Sequence, residues 1–226
     1  MISGKEILKD TDDFESLFTK TGSIAYEKQR ILDELLEGDT GSLNIGSKTL
    51  EFKNYSFPIQ ILGTLSLNNN MWFWAWDNGD IGFAPDLVED AMEIKEIGEQ
   101  YNIPEFKTRM LSNVDLDSVH TILMTASTLV DADAYYGAQE GDLIIFVSIH
   151  SDELTLIEDL DVFARVYNNF VRDYQIKPVD ALEGYCKFKG YEFRDEIEFA
   201  VVKVGQQRVI AGFSEQGKLT NIQIMK

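Results

Sequence analysis

The sequence is poor in the residues that build the common catalytic and metal centres. Its 226 residues include one cysteine, Cys186, so an internal disulfide and a cysteine-rich zinc site are excluded. The two histidines, His120 and His150, have a spacing that matches no metal-binding motif. A lone histidine is more often structural than catalytic, and the amphipathic stretch around Cys186 is typical of a buried thiol.

The glycine and serine patterns of cofactor-binding and hydrolytic enzymes are missing as well. No phosphate loop, dinucleotide-binding glycine pattern or nucleophile-elbow serine occurs. Residues 131–142 have the length and terminal acids of a calcium loop, but Tyr135 stands at a ligand position and Gly137 comes one residue late. We therefore expect no metal and no cofactor, and the sequence favours a protein that is not an enzyme.

Long apolar runs are also lacking. The longest, residues 143–147, has the length of a strand, and no window reaches the roughly 18 apolar residues that span a membrane. The beginning, MISGKEILKDTDDFE, has neither the basic start nor the apolar stretch of a signal peptide. Together with the single cysteine, these features predict a cytoplasmic protein that does not bind membranes.

Basic residues are few. There are 20 Lys and Arg against 39 Asp and Glu, which gives a net charge of -19. Residues 1–150 hold 26 acids and 10 bases, whereas residues 151–226 hold 13 acids and 10 bases. Such a charge repels nucleic acid and anionic membranes and attracts a basic protein partner. Alternatively, the acidity serves solubility alone. The oligomeric state is not readable from the sequence.

The apolar residues that are present, 44% of the chain, have spacings that predict an α+β fold. In residues 1–150, the predicted first domain, an antiparallel β-meander over residues 43–76 is packed by helices. The other elements predicted there are helices over 13–36, 85–101 and 113–130, the last with Ser112 and Asp115 as a capping box, and a hairpin over 134–138 and 143–150. Gly22-Ser23 interrupts the first helix, so either a kink there or two shorter helices is expected.

Residues 151–226 predict a smaller α+β segment packed against the first domain. Thr155 and Glu158 resemble a capping box that would start a helix running to Tyr174. A short helix over 180–186 and a three-strand meander follow, with strands over 197–204, 208–213 and 219–224.

The helix predicted over residues 85–101 is strongly acidic. Lys95 is its only base. Acids in the first turn favour the helix dipole, but acids near its end oppose it. Either packing stabilises this helix or its acidic face has a function. We expect it to bind a basic partner through Asp86, Glu89, Asp90, Glu93 and Glu96.

The segment MWFWAWDNGD, residues 71–80, carries all three tryptophans on alternate positions. Alternation in a strand places Trp72, Trp74 and Trp76 on one face. Three interpretations stay open: a structural core, an exposed partner face, or the floor of a ligand pocket. In the pocket interpretation the ligand-binding residues are Trp72, Trp74, Trp76, Asp77, Asn78 and Asp80.

The run ILGTLSLNNNMWFWAWDN, followed by AMEIKEIGEQ, resembles a family of uncharacterised bacterial proteins of unknown function. The resemblance rests on a Trp-x-Trp-Ala-Trp-x-Asn strand and two glycines, here Gly63, Trp72, Trp74, Ala75, Trp76, Asn78 and Gly98. It covers about residues 12–150, where DADAYYGA and GDLIIFVSI also match, and it implies no activity.

Two functional hypotheses follow from the sequence. The first is a non-enzymatic cytosolic binding protein, immunity-like or antitoxin-like, that takes a basic partner on its acidic surface. The second is a small-molecule or enzymatic pocket floored by the tryptophan strand.

Overall fold

The computed structural model describes residues 2–11, 13–77 and 82–225. It confirms an α+β fold with antiparallel sheets. Contacts group the chain into two compact units, one of Lys28–Thr155 and one of the residues up to Glu27 together with those from Leu156 onwards. These units are groups of residues that contact one another. The domains over 1–150 and 151–226 are a statement about which parts of the chain fold independently, and they stay a prediction.

The helices largely follow the predicted periodicity. They are α1 (Phe14–Leu36), α2 (Glu89–Gln100), α3 (Pro104–Lys107), α4 (Leu116–Leu129), α5 (Leu160–Asp173) and α6 (Pro178–Lys189). Short 3₁₀ segments cover Gly4–Asp10, Ala75–Asp77 and Pro85–Leu87. Helix α1 runs unbroken through Gly22, so the position considered for a kink lies within one continuous helix.

The 28–155 unit contains a seven-stranded sheet. Its strands are β1 (Ser42–Asn44), β2 (Thr49–Glu51), β3 (Ser56–Ser66), β4 (Met71–Trp74), β5 (Met110–Ser112), β6 (Ala134–Glu140) and β7 (Leu143–Ile149). β1 to β4 pair in sequence order, as the predicted meander over residues 43–76 requires; β5, which was not predicted, pairs with β4, and the β6–β7 hairpin joins through β7 to β3. The strand that pairs with most neighbours is therefore β3.

The core of this unit lies where α1, α2 and the sheet meet. It includes Leu32 of α1, Phe57 and Ile61 of β3, Ala91 of α2 and Val147 of β7, each at most 1% exposed. The second half of β3 is buried on both faces. Strand β3 pairs with β4 and β7 and contacts helix α2. Its burial therefore holds these three elements in place.

The other unit has an antiparallel sheet of four strands, one more than predicted. The strands are β8 (Glu192–Asp195), β9 (Phe199–Val204), β10 (Gln207–Phe213) and β11 (Leu219–Met225), paired in that order. Helices α5 and α6 contact the outer strands β11 and β8 respectively. Val202 and Val209, opposite each other in the register, are fully buried on the same face of this sheet.

Several predicted boundaries are wrong. The tryptophan strand ends at Trp74, because Ala75–Asp77 turns into a 3₁₀ segment. The cap of helix α4 is Asp115, whose carboxylate accepts a hydrogen bond from the Ser118 N–H. Ser112, the predicted cap, is the last residue of β5. Helix α5 begins at Leu160, because the carboxylate of Asp159 accepts from the Asp161 and Val162 N–H groups. In both helices an aspartate nearer the helix takes the capping role.

Candidate functional site

Helix α2 presents one apolar face to the core and one acidic face to solvent. Ala91, Ile94, Ile97 and Gly98 are buried, while Tyr101, which was predicted on the same face, is 37% exposed just beyond the helix. On the opposite side Glu89 and Glu96 are exposed and Glu93 is partly exposed. Their spacing of three and four residues aligns them along one stripe.

Met92 lies within this acidic stripe and is 40% exposed. We call Glu89, Met92, Glu93 and Glu96 the α2 surface. It combines three carboxylates with one flexible apolar side chain, whereas the helix's only base is held elsewhere. Lys95 Nζ lies 5.0 Å from the centre of the Trp76 ring and 3.9 Å from Glu99 Oε1.

The other two predicted partner-binding acids have partners within the unit. Asp86 forms an exposed ion pair with Lys48, and the hydrogen bond from that ammonium lowers the pKa of the Asp86 carboxyl. Asp90, in the first turn of α2, is directed towards β7, and its side chain is 14% exposed. The structure thus separates Asp86 and Asp90 from the three acids of the α2 surface.

Asp90 is the centre of a polar cluster that sequence reasoning missed. Its Oδ2 accepts a hydrogen bond from the buried Ser148 hydroxyl at 2.5 Å and pairs with His150 Nε2 at 2.8 Å. The hydrogen bond that His150 donates to Asp90 raises the pKa of His150; Asp133 adds to this effect, and partial burial and Lys28 oppose it. The two histidines therefore differ, because burial lowers the pKa of His120, which pairs through Nδ1 with the Tyr135 hydroxyl.

This cluster has the parts of a hydrolytic triad but a different arrangement. In the serine–histidine mechanism the hydroxyl is bonded to the imidazole that will take its proton. Here the Ser148 hydroxyl and the His150 imidazole both bond to the same carboxylate oxygen of Asp90. The arrangement orients His150, which is 41% exposed, and fastens α2 to β7. It gives Ser148 no imidazole to activate it.

Trp72 and Trp74 lie in closed packing. Both are fully buried, their ring centres are 5.2 Å apart in an edge-on arrangement, and Trp74 Nε1 donates to the Glu105 carbonyl at 2.9 Å. A Cβ on Gly63 would lie 2.4 Å from Trp72 Cζ2, so the neighbouring strand needs glycine there. This burial is what the structural-core interpretation requires.

Trp76 differs from the other two tryptophans because the strand has already ended. It is partly buried against the core of the 28–155 unit, and its buried Nε1, like that of Trp72, has no hydrogen-bond partner among the described residues. Asp77 follows and forms an ion pair with Arg109. Asn78 and Asp80, the rest of the predicted pocket rim, lie outside the described residues.

Cys186 and the calcium-loop candidate are the remaining centres considered from the sequence. Cys186 is fully buried, and burial raises the pKa of its thiol well above the usual range, which disfavours the reactive thiolate. Residues 134–140 of the calcium-loop candidate form strand β6. Within the described ranges, no group of three or more His, Cys, Asp or Glu side chains is placed to hold a metal ion. None of the described helices is long and apolar enough to cross a membrane.

A comparison with protein-family models identifies the family of this chain. The model of a family of unknown function, DUF6882, matches residues 15–152. The chain belongs to this family. DUF6882 confirms the resemblance seen in the sequence over nearly the same residues. Searches of the curated proteins and of the solved structures each gave no match.

Proposed function

We propose that this member of DUF6882 is a protein-binding module and that its α2 surface takes a basic protein partner. The observation that carries the proposal is the exposed Met92 in a row of carboxylates, Glu89, Glu93 and Glu96. Methionine and a surrounding charged rim are typical of protein interfaces, in which apolar anchors supply affinity and charge supplies orientation.

The charges of the neighbouring residues support this choice of surface. Lys95 is directed to Trp76 and Glu99. Asp86 and Asp90 form pairs with Lys48 and His150 respectively. The acidic row therefore attracts a cation, and complementary charge raises the association rate most at low salt. An immunity-like or antitoxin-like role towards a basic protein fits this chemistry.

The test begins with a pull-down from the native host, followed by titration calorimetry with the captured protein. The triple variant Glu89→Lys, Glu93→Lys and Glu96→Lys should bind at least about tenfold more weakly, with a flatter dependence on salt. The matched control, Glu37→Lys, Glu140→Lys and Glu153→Lys, changes the net charge equally at exposed positions of the same unit. Absence of any captured partner, or equal losses in both triple variants, would contradict the proposal.

A second candidate function is a small-molecule site at Trp76 and Asp77. Trp72 and Trp76 both have an unpartnered indole N–H, but only Trp76 is partly exposed. This favours a site at Trp76, because such a group gains a hydrogen bond when a ligand supplies an acceptor. A metabolite screen that follows tryptophan fluorescence and thermal stability tests this function. A ligand whose effect is abolished by Trp76→Phe would support it, and no response to any compound would count against it.

A further inference from the structure

The turn between β8 and β9 carries the most exposed large apolar side chain of the described residues. Ile197 is 96% exposed, and the next in exposure, Met225, is 52% exposed. An apolar side chain stabilises a fold by leaving water, in proportion to the area that it buries. Ile197 buries almost none, so its side chain gives the folded chain almost no hydrophobic stabilisation.

The backbone at Ile197 is also unfavourable for this residue type. Its φ is 61°, and the Glu198 N–H donates to the Glu196 carbonyl at 2.7 Å, which closes a three-residue γ-turn centred on Ile197. The form of this turn with positive φ is rare and strained, and a β-branched side chain adds to the strain. Every other described residue with positive φ is Gly, Asn, Asp, Glu or Lys. Glycine would fit the position without this strain.

Two further backbone hydrogen bonds hold the turn. The Glu196 N–H donates to the Phe199 carbonyl at 2.8 Å, and the Phe213 N–H of β10 donates to the Glu198 carbonyl at 2.8 Å. Ile197 therefore stands at the tip of a turn that is fixed on both sides, and its branched Cβ restricts χ1. A side chain that is already ordered loses little conformational entropy when a partner binds it.

A second apolar side chain lies two residues along the chain. Phe199, the first residue of β9, is 41% exposed. The residue opposite it on β10 is Gly212, which offers no side chain to cover the ring. Ile197 and Phe199 thus form an apolar tip at this end of the four-stranded sheet.

Negative charge flanks the apolar tip. Glu196 and Glu198 stand on either side of Ile197, both are exposed, and neither carboxylate belongs to an ion pair among the described residues. The next two residues towards the N-terminus, Asp195 and Arg194, have opposite charges. The tip therefore keeps the two negative charges of Glu196 and Glu198, and basic groups complement it.

We propose that Ile197 is the anchor of a protein-binding site, in the unit that does not contain the α2 surface, and that its partner receives it in an apolar pocket bordered by basic side chains. Phe199 adds apolar contact beside the anchor, and Glu196 and Glu198 pair with the basic border. Interfaces concentrate their binding free energy in a few such anchors, which fill pockets of the partner. Burial in the pocket gives Ile197 the hydrophobic stabilisation that it lacks in the free chain.

Urea unfolding tests whether Ile197 has a role within the fold instead. Ile197→Gly should leave the urea midpoint unchanged or raise it, because glycine adopts a positive φ without strain and almost no packing is lost. The matched control Ile45→Gly makes the same exchange at an isoleucine that is 46% exposed and has no positive φ. The control should lower the midpoint. A lower midpoint for Ile197→Gly would show that this side chain stabilises the fold and would overturn the proposal.

Binding is tested with a photoreactive benzophenone amino acid in place of Phe199, in the full chain expressed in the native host. The crosslinked protein is then purified and titrated by calorimetry against variants without the photoreactive group. Ile197→Gly should bind it at least about tenfold more weakly than the wild type, whereas Ile197→Leu and the control Ile45→Gly should keep most of the affinity. Glu196→Lys with Glu198→Lys should weaken binding most at low salt.

Three results of the binding experiment would overturn the proposal. The first is that no protein crosslinks at position 199. The second is a crosslinked protein that binds Ile197→Gly as tightly as it binds the wild type. The third is a partner whose affinity does not respond to the charge reversal at Glu196 and Glu198, because its pocket then has no basic border.

Discussion

Asp90 and His150 connect helix α2 to the end of strand β7, with 2.8 Å between the carboxylate Oδ2 and the imidazole Nε2. Sixty residues separate the two in the sequence. The pairing places one titratable contact beneath the acidic helix that carries the α2 surface. The stability of the 28–155 unit should therefore depend on pH near neutrality.

His150→Gln should reduce stability more at pH 5.5 than at pH 8.5. Asp90 raises the pKa of His150 in the folded chain above the unfolded value of about 6.5, so protonation stabilises the fold. This stabilisation is complete below the unfolded pKa and is lost as the pH rises through the folded pKa. Urea unfolding of both proteins across this pH range measures the difference. A difference that does not vary with pH would contradict the prediction.

His120→Gln serves as the control because its effect on stability should depend on pH in the opposite direction. Burial lowers the pKa of His120 in the folded chain, so the wild type loses stability as the pH falls through the unfolded pKa, where the unfolded chain takes up the proton first. Removing His120 should make the protein relatively more stable at low pH. The two variants should therefore shift the pH profile in opposite directions.

Gly22→Ala should destabilise the unit that contains the first half of α1, although alanine favours helices. A Cβ on Gly22 would lie 2.1 Å from Cζ of Phe170, so the Phe170 ring has to move. Overpacking of this kind costs about 1–3 kcal/mol, more than the roughly 1 kcal/mol of helix propensity gained. Urea unfolding measures the net effect. In a Phe170→Leu background the same substitution should cost less, and equal costs in both backgrounds would argue against the close contact as the cause.

The sequence predicted elements whose pattern is local. The apolar spacing of α1 and the alternation of β1 to β4 are visible within a few residues, and both elements are confirmed. The ends of helices were harder to predict because several neighbouring side chains can each serve as the cap. The start of a strand was also misplaced. Ile197 was predicted to begin a strand, yet it is 96% exposed in the turn before β9 with a φ of 61°, where a β-branched residue is unusual.

The candidate site was predicted only in part for the same reason. Glu89, Glu93 and Glu96 share a helix face, which spacing alone reveals. The engagement of Asp90 with His150, and of Asp86 with Lys48, depends on how α2 packs on the sheet. Contacts between residues distant in the sequence leave no signal in one chain. The membership of Lys48 and His150 in these pairs could not be predicted without the fold.

Replacing one member of the buried Glu27–Lys189 ion pair should be strongly destabilising. Glu27 is 1% and Lys189 3% exposed, their Oε1 and Nζ are 3.0 Å apart, and the Tyr185 hydroxyl donates to Glu27 Oε2 at 2.7 Å. Lys189→Met leaves a buried carboxylate without its cation, which costs about 3–5 kcal/mol.

The double variant Glu27→Leu with Lys189→Met separates the value of the pair from the penalty of an unpaired charge. It should recover much of the stability lost in Lys189→Met, because apolar side chains often replace a buried ion pair at little cost. Urea unfolding of the two single variants and the double variant completes the cycle. Strictly additive losses would mean that the two charges do not depend on each other in the fold.

Acrylamide quenching should distinguish the three tryptophans. Trp72 and Trp74 are fully buried, whereas Trp76 is partly exposed, so a collisional quencher reaches Trp76 first. Trp76→Phe should remove most of the quenchable emission and leave a component at shorter wavelength from the apolar surroundings of Trp72 and Trp74. Unfolding each protein in urea makes every remaining tryptophan accessible and provides the control.

If the emission of Trp76→Phe stays as quenchable in the folded protein as in urea, Trp72 and Trp74 are open to solvent and a pocket floored by them gains support. If that emission is protected, Trp76 is the one tryptophan that can contact a ligand.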